Sequence, residues 1–260
     1  MNPDPEFEAG WFERELRAAG SAERAASSQN YLKSTREFTG TTVPDSRAIM
    51  IRWRREHPDL TGQQLMAVAG GLWQRPVFEC QLAAVLLLAD RRKLLSARDA
   101  AQLEQMLRTA GTWALVDSLA ADVLGSLVER FPELHPMLDR WASDENLWIR
   151  RSALLALLVP LRRGDSGNFE RFGRYADAML TDREFFIRKA IGWVLRETGK
   201  RQPQLVTDWL AARLDRVSGV TIREAVKWLP PADRDQLLAG YSAARPARPA
   251  RSARPVRSAG

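Results

Sequence analysis

In "GTWALVDSLAADVLG" (111–125), Leu115, Val116, Leu119, Val123 and Leu124 recur at helical spacing, the pattern of a helix with one buried face. Three later segments resemble one another: "WIRRSALLAL" (148–157), "FIRKAIGWVL" (186–195) and "TIREAVKWLP" (221–230). Their Ile-Arg pairs begin at Ile149, Ile187 and Ile222, 38 and 35 residues apart. "TWALVDSLAA" (112–121) lies about one period earlier, and "VFECQLAAVL" (77–86) about one before that. Self-similarity at this period predicts stacked helix pairs of the HEAT type, slightly shorter than the usual ~40–47 residues.

One helix pair cannot cover its own apolar face, so neighbours stack and share a continuous core. Partner helices are predicted at "ARDAAQLEQMLRT" (97–109) and "FERFGRYADAML" (169–180). Pro and Gly punctuate the breaks at 131–136, 162–167, 197–203 and 229–233. Residues 5–56 supply N-terminal helices interrupted by "FTGTTVPDS" (38–46). The predicted fold is all-α: one curved HEAT-like repeat α-solenoid over residues 1–238, with a concave face available for binding. Leu and Ala dominate the composition and β-branched residues are few, which agrees with helices throughout.

Asp117 breaks the apolar pattern. At ~100° per residue from Trp113, Val116, Leu119, Ala120 and Val123 cluster near ~300°, Asp117 falls near ~40° and Asp122 near ~180°. Asp122 therefore reads as a solvated charge. Asp117 shares the rim of the apolar face with an indole, and a carboxylate in that position needs a partner or a purpose. Geometry leaves two readings open: a structural carboxylate, capping a helix or pairing with an arginine of the next repeat, or a functional acid. The Trp193/Trp228 recurrence, 35 residues apart, reads as packing.

Composition narrows the chemistry. Cys80 is the one cysteine, and the two histidines, His57 and His135, each precede proline, so neither a disulfide framework nor a zinc or iron–sulfur site is expected. No cofactor is called for. The longest apolar run, "LAAVLLLA" (82–89), is too short to span a bilayer, and the acidic start "MNPDPEFEAG" is not a signal peptide. A cytoplasmic protein is expected, nucleoid-associated when on DNA. Net charge is +7, but the last twenty residues hold five arginines and no acid, and without them the excess falls to +2. Residues 239–260 read as a disordered Pro/Ala/Arg tail. Basic doublets recur at Arg54–Arg55, Arg91–Arg92, Arg150–Arg151, Arg162–Arg163, Arg188–Lys189 and Lys200–Arg201. They fit either phosphate contacts along one edge of a solenoid or ordinary solubilising charge.

Several stretches together resemble one known family. "YLKS" (31–34), "LWQRP" (72–76), "TWALVDS" (112–118), "WASDENLWIRRSALL" (141–155), "EFFIRKAIGWVLRE" (184–197) and "REAVKWLP" (223–230) occur in the order found in AlkD-type DNA alkylation repair proteins, HEAT-like DNA glycosylases. The resemblance runs from about residue 29 to 238. It implies excision of positively charged N3- and N7-alkylpurines from duplex DNA by a monofunctional glycosylase, without deep base flipping. It places the catalytic aspartate on Asp117, its tryptophan on Trp113, the cleft arginine on Arg151 and the second cleft tryptophan on Trp193. An N-terminal tyrosine near the DNA falls on Tyr31. With the basic doublets, Tyr31, Arg150, Arg188, Lys189 and Arg196 form the expected DNA-binding set, and Arg151 is expected to clamp a flanking phosphate. Thr112 and Ala114, beside Trp113, depart from the family pattern and bear on lesion preference.

The expected partner is double-stranded DNA carrying alkylated bases, with the protein acting as a monomer and away from membranes. Two other readings stand beside the enzyme: a non-catalytic HEAT-repeat protein that binds damaged or branched DNA, and a protein-interaction scaffold. If the Arg-rich tail adds phosphate contacts, truncation after Gly240 flattens the salt dependence of DNA binding; an unchanged slope in a salt titration rules that role out.

Overall fold

The computed structural model describes residues 3–244. Among them no β-strand occurs, apart from an isolated bridge between Glu37 and Val77. The chain opens with Pro5–Ala19 (α1), Ala22–Leu32 (α2) and Val43–Glu56 (α3). Paired helices follow: Gly62–Gln74 (α4) with Phe78–Asp90 (α5), then Ala100–Thr109 (α6) with Trp113–Ser118 (α7) and Gly125–Arg130 (α8). His135–Trp141 (α9) precedes Leu147–Leu155 (α10) and Leu158–Arg162 (α11), and Ser166–Met179 (α12) precedes Phe185–Gly199 (α13). Pro203–Ala211 (α14), Gly219–Ala225 (α15) and Pro231–Ala243 (α16) complete the series.

Local chemistry starts these helices where the sequence is punctuated. Thr61 forms a reciprocal capping box with Gln64, and Asn146, Asp165 and Ser218 each accept a backbone N–H of the first turn. Such caps contribute about 1 kcal/mol each. The break at 131–136 is a 3₁₀ turn, Pro132–Leu134, leading directly into α9. The other expected breaks fall between α11 and α12, between α13 and α14, and before α16.

The helices form two layers. In the inner layer α5 packs on α7, α7 on α10, α10 on α13 and α13 on α15. The outer layer is joined by polar contacts with a common spacing. Trp73 Nε1 donates to Thr109 Oγ1 at 2.9 Å, Arg108 Nη2 to Asp144 Oδ2 at 2.7 Å, Tyr175 Oη to Asp139 Oδ1 at 2.6 Å and Arg213 Nε to Asp177 Oδ1 at 2.7 Å. Every one of these pairs is 36 residues apart. The repeat is thus visible in bonds as well as in residue patterns, and the protein is an α-helical repeat solenoid. Between the layers Phe12, Trp53, Leu103, Trp141 and Phe172 are fully or nearly fully enclosed.

Three features depart from the helical-wheel picture. Leu119–Leu124 is a π-helical segment between α7 and α8, so the ~100° step fails beyond Ser118. Asp122 is consequently half-buried rather than solvated, and accepts a hydrogen bond from Ser118 Oγ at 2.8 Å. Trp228 is 62% exposed; the chain tightens to a 3₁₀ turn over Val226–Trp228 and turns this indole outwards, so it does not repeat the packing of Trp193. Lastly, α16 continues through Ala243, so residues 239–243 of the expected tail are helical. Residues 245–260 of that tail lie outside the described residues, and a truncation that tests it cuts after 244.

Phe172→Ala is expected to cost about 3–5 kcal/mol, whereas Trp228→Ala stays within about 0.5 kcal/mol. Thermal unfolding of the two variants checks this; equal losses would contradict the burial assigned to each.

Candidate active site

A cleft of about 560 Å³ opens on the inner layer. Its lining includes Tyr31, Trp113, Asp117, Arg151, Lys189, Trp193 and Arg196, contributed by α2, α7, α10 and α13. Trp113 and Asp117 are one helical turn apart on α7, and Phe186, Lys189, Trp193 and Arg196 share a face of α13 through the same periodicity. The opposite face of α13 (Ile187, Ala190, Ile191, Val194 and Leu195) is fully buried. Core packing thereby aims the polar and aromatic face of α13 at the cleft.

Arg151 and Asp117 form the central contact. Arg151 Nε donates to Asp117 Oδ1 at 2.7 Å and Nη2 to Oδ2 at 2.8 Å, a bidentate fork. Arg151 Nη1 donates to the backbone oxygen of Phe186, and the guanidinium stands 5.9 Å from the Phe186 ring centroid. The arginine side chain is 3% exposed and the aspartate 21%. The expected phosphate clamp is therefore turned inward: Arg151 orients Asp117 and ties α10 to both neighbouring repeats, while Asp117 keeps an edge towards the cleft. Both readings of Asp117 that geometry left open meet here, since the carboxylate is paired with an arginine of the next repeat and also faces the opening.

Aromatic rings flank this pair. Trp113 and Trp193 are half-buried, Trp193 against the core. Tyr31, 73% exposed, meets Trp113 edge-on, with centroids 6.1 Å apart and planes at 84°. Helix α2, which carries Tyr31, has no buried residue of its own. Ala25 and Leu32 pack against the core while remaining partly exposed, and polar contacts add to this. Arg24 Nε donates to the Gly40 carbonyl at 2.7 Å, and the buried Glu79 carboxylate accepts the backbone N–H groups of Thr39 and Gly40 at 2.9 Å each.

Lys189 and Arg196 reach the cleft, but Arg150 and Arg188 do not line it. Arg150 pairs with Asp182 at 3.0 Å and donates to the carbonyls of Asp144 and Glu145; Arg188 Nε donates to the Asp182 carbonyl at 2.7 Å. Both brace the loops before α10 and α13. Two charged lining residues, Glu224 and Lys227 of the α15 region, escaped the sequence reading. The available signal was the period: Glu224 follows Lys189 by 35 residues with opposite charge.

A second cavity, of about 530 Å³, lies towards the C-terminal ends of the inner helices. Arg54, Arg92, Arg162 and Arg163 from three of the basic doublets gather there with Arg47, interleaved with Asp90, Asp122 and Glu129. Among the described residues no group of three or more His, Cys, Asp or Glu side chains is placed to hold a metal ion. No helix among them is long and apolar enough to cross a membrane.

Comparison with known proteins agrees with this architecture. The sequence profile of the family described as "DNA alkylation repair enzyme" matches residues 12–229. The chain belongs to that family. Its fold is similar to that of a predicted DNA alkylation repair enzyme from Enterococcus faecalis, with 25% identity and a TM-score of 0.72, covering 82% of this chain and 97% of that one. AlkD2 from Streptococcus mutans aligns at 20% identity and a TM-score of 0.55, over 70% of this chain and 89% of its own. The protein smu.31 from Streptococcus mutans UA159 gives 20% identity and a TM-score of 0.55, over 71% and 92%. No curated protein matches the chain.

In this family member the inward-facing guanidinium makes a sharp prediction. Arg151→Ala leaves a partly buried carboxylate unpaired and is expected to cost about 3–5 kcal/mol. Arg151→Lys recovers only part of that, because an ammonium cannot fork onto both carboxylate oxygens. Calorimetric unfolding of both variants tests the assignment; an unchanged midpoint in Arg151→Ala would refute it.

Proposed function

We propose that the protein is a monofunctional DNA glycosylase that excises positively charged N3- and N7-alkylpurines from double-stranded DNA. The observation that carries this reading is Asp117: a carboxylate held by Arg151, flanked by indoles, with one edge towards a cleft. An alkylpurine that already bears a positive charge leaves as a neutral base when the C1′–N bond breaks and its electron pair returns to the ring, so no general acid is required. Positive charge then develops on the deoxyribose. A fixed carboxylate next to the sugar stabilises that oxocarbenium-like state and orients a water. The water oxygen bonds to C1′, its released proton passes to Asp117 or solvent, and an abasic site remains.

The other cleft residues take supporting roles. Trp113 and Trp193 offer π-faces to the cationic nucleotide, worth about 0.5–2 kcal/mol each, and Tyr31 meets the DNA beside Trp113. Strongly exposed Tyr31 belongs to the lining, which favours action on a nucleotide that is not drawn into a deep pocket. A lyase would need a free amine as nucleophile; the two cleft lysines, Lys189 and Lys227, are instead both hydrogen-bonded to Glu224. The reading includes a monomer working in the cytoplasm, on the nucleoid when bound to DNA, with no cofactor.

Incubation with duplex DNA carrying N7-methylguanine is expected to release free base and leave abasic sites. Asp117→Asn keeps DNA binding and loses excision by about a hundredfold or more. Excision by Asp117→Asn at the wild-type rate would remove Asp117 from catalysis. Binding without any base release by the wild type would favour a non-catalytic DNA-binding protein.

A further inference from the structure

Glu224 is a charged residue enclosed at the α13–α15 interface, with its side chain 3% exposed. Three cations converge on it. Arg196 Nη1 donates to Oε1, Lys189 Nζ donates to Oε2, and Lys227 Nζ donates to the same Oε2 at 2.9 Å. Burial pushes this carboxyl up, and the Lys189 and Lys227 hydrogen bonds together with the charge of Arg196 outweigh that, holding it below the ordinary carboxylate range. The glycine before Trp193 makes the arrangement possible: a Cβ on Gly192 would stand 2.7 Å from Glu224 Cβ and 2.8 Å from the Thr221 carbonyl oxygen. Gly192 therefore lets α15 approach α13 closely enough for Glu224 to reach Lys189 and Arg196.

Arg196 also pairs with Glu197 at 3.3 Å, so Lys189, Arg196 and Lys227 face two carboxylates, and one positive charge is left in excess around Glu224. Such an excess costs energy through like-charge repulsion and favours binding of an anion. All three cations line the same cleft as Asp117 and Trp193. Lys189 is 42% and Lys227 52% exposed, and an ammonium that gives one N–H to Glu224 retains two more. Arg151, the other cleft cation, is committed to Asp117 and the Phe186 carbonyl and presents no comparable free edge.

We infer that Lys189, Arg196 and Lys227, organised by the buried Glu224, form a phosphodiester-binding subsite at the α13–α15 end of the cleft, and that Glu224 is its positioning residue. The ligand is a backbone phosphate of duplex DNA. This rests on the reading of the cleft as DNA-binding and assigns the phosphate contact, expected of Arg151, to this cluster.

The test uses the full chain and a labelled undamaged duplex, so that binding is read without catalysis. Losing one phosphate contact lowers the slope of log affinity against log salt by about 0.9 and weakens binding about five- to tenfold near 0.1 M salt. Lys227→Ala, an exposed position, is expected to show both changes with an unaltered unfolding midpoint; an unchanged slope and affinity overturns the subsite. Glu224→Gln adds one unit of positive charge, so simple charge counting predicts tighter binding. Loss of the positioning carboxylate predicts binding at least about threefold weaker; tighter binding by a folded Glu224→Gln overturns its positioning role. Excision of N7-methylguanine is assayed separately. A Lys227→Ala binding defect in a protein whose wild type releases no base leaves the subsite standing and removes the glycosylase. Excision by wild type, with Lys227→Ala binding unaltered, does the reverse.

Discussion

A guanidinium enclosed between helices must have its charge and its N–H groups answered, because burying it unpaired costs several kcal/mol. Arg151 meets that demand with both oxygens of Asp117 on one side and the Phe186 carbonyl on the other. Three successive repeats are thereby fixed against one another at a single side chain. The same contact sets the direction of the Asp117 carboxylate, whose forked geometry leaves little rotational freedom. Scaffold and cleft thus share one constraint: the pair that locks the repeats together is also the pair that presents an acid to the opening.

The device recurs across the molecule in milder form. Arg108 with Asp144 and Arg213 with Asp177 join helices one repeat apart on the outer layer, and each guanidinium holds its partner carboxyl below the ordinary range, chiefly through side-chain hydrogen bonds. Glu224 with Lys189 is the inner-layer counterpart in the last repeats. What differs is stoichiometry. Arg108 faces two carboxylates, Glu104 and Asp144, and Asp177 faces two cations, Arg213 and Arg216, while Glu224 gathers three. A repeat architecture thus produces a charged end to its cleft by changing the number of partners at one recurring position, without a new fold element.

Much of the fold was legible in the chain. The period, the helix breaks and the shared face of Trp113 and Asp117 were readable, because helical spacing and one-repeat offsets are linear properties of sequence; Arg151 and Trp193 were singled out only by the family resemblance. The π-helical segment was not: "LAADVL" has the apolar pattern of an ordinary helix, and the wider turn emerges only where this stretch is hydrogen-bonded and packed in place. Arg150 and Arg151 are adjacent in sequence, yet one braces a loop through Asp182 and the other is buried on Asp117. No property of the dipeptide distinguishes them; the ~100° between neighbouring helical positions does, once the surrounding helices are in place. Trp193 and Trp228 likewise hold the same repeat position but differ in fate, because the turn after α15 tightens where α13 continues.

The sequence by itself determined the element type, the repeat length and the set of side chains available to each helix face, since these follow from periodicity and capping chemistry. Tertiary structure decided which charges met. Asp117 became an oriented acid, Arg151 an enclosed support and Glu224 the anchor of a cationic cluster only when stacking brought residues 34 to 35 positions apart within hydrogen-bonding distance. The physical reason is the range of the forces involved. Helix formation is settled among residues three and four apart, whereas pairing of a buried charge depends on what the neighbouring repeat delivers to the same point in space.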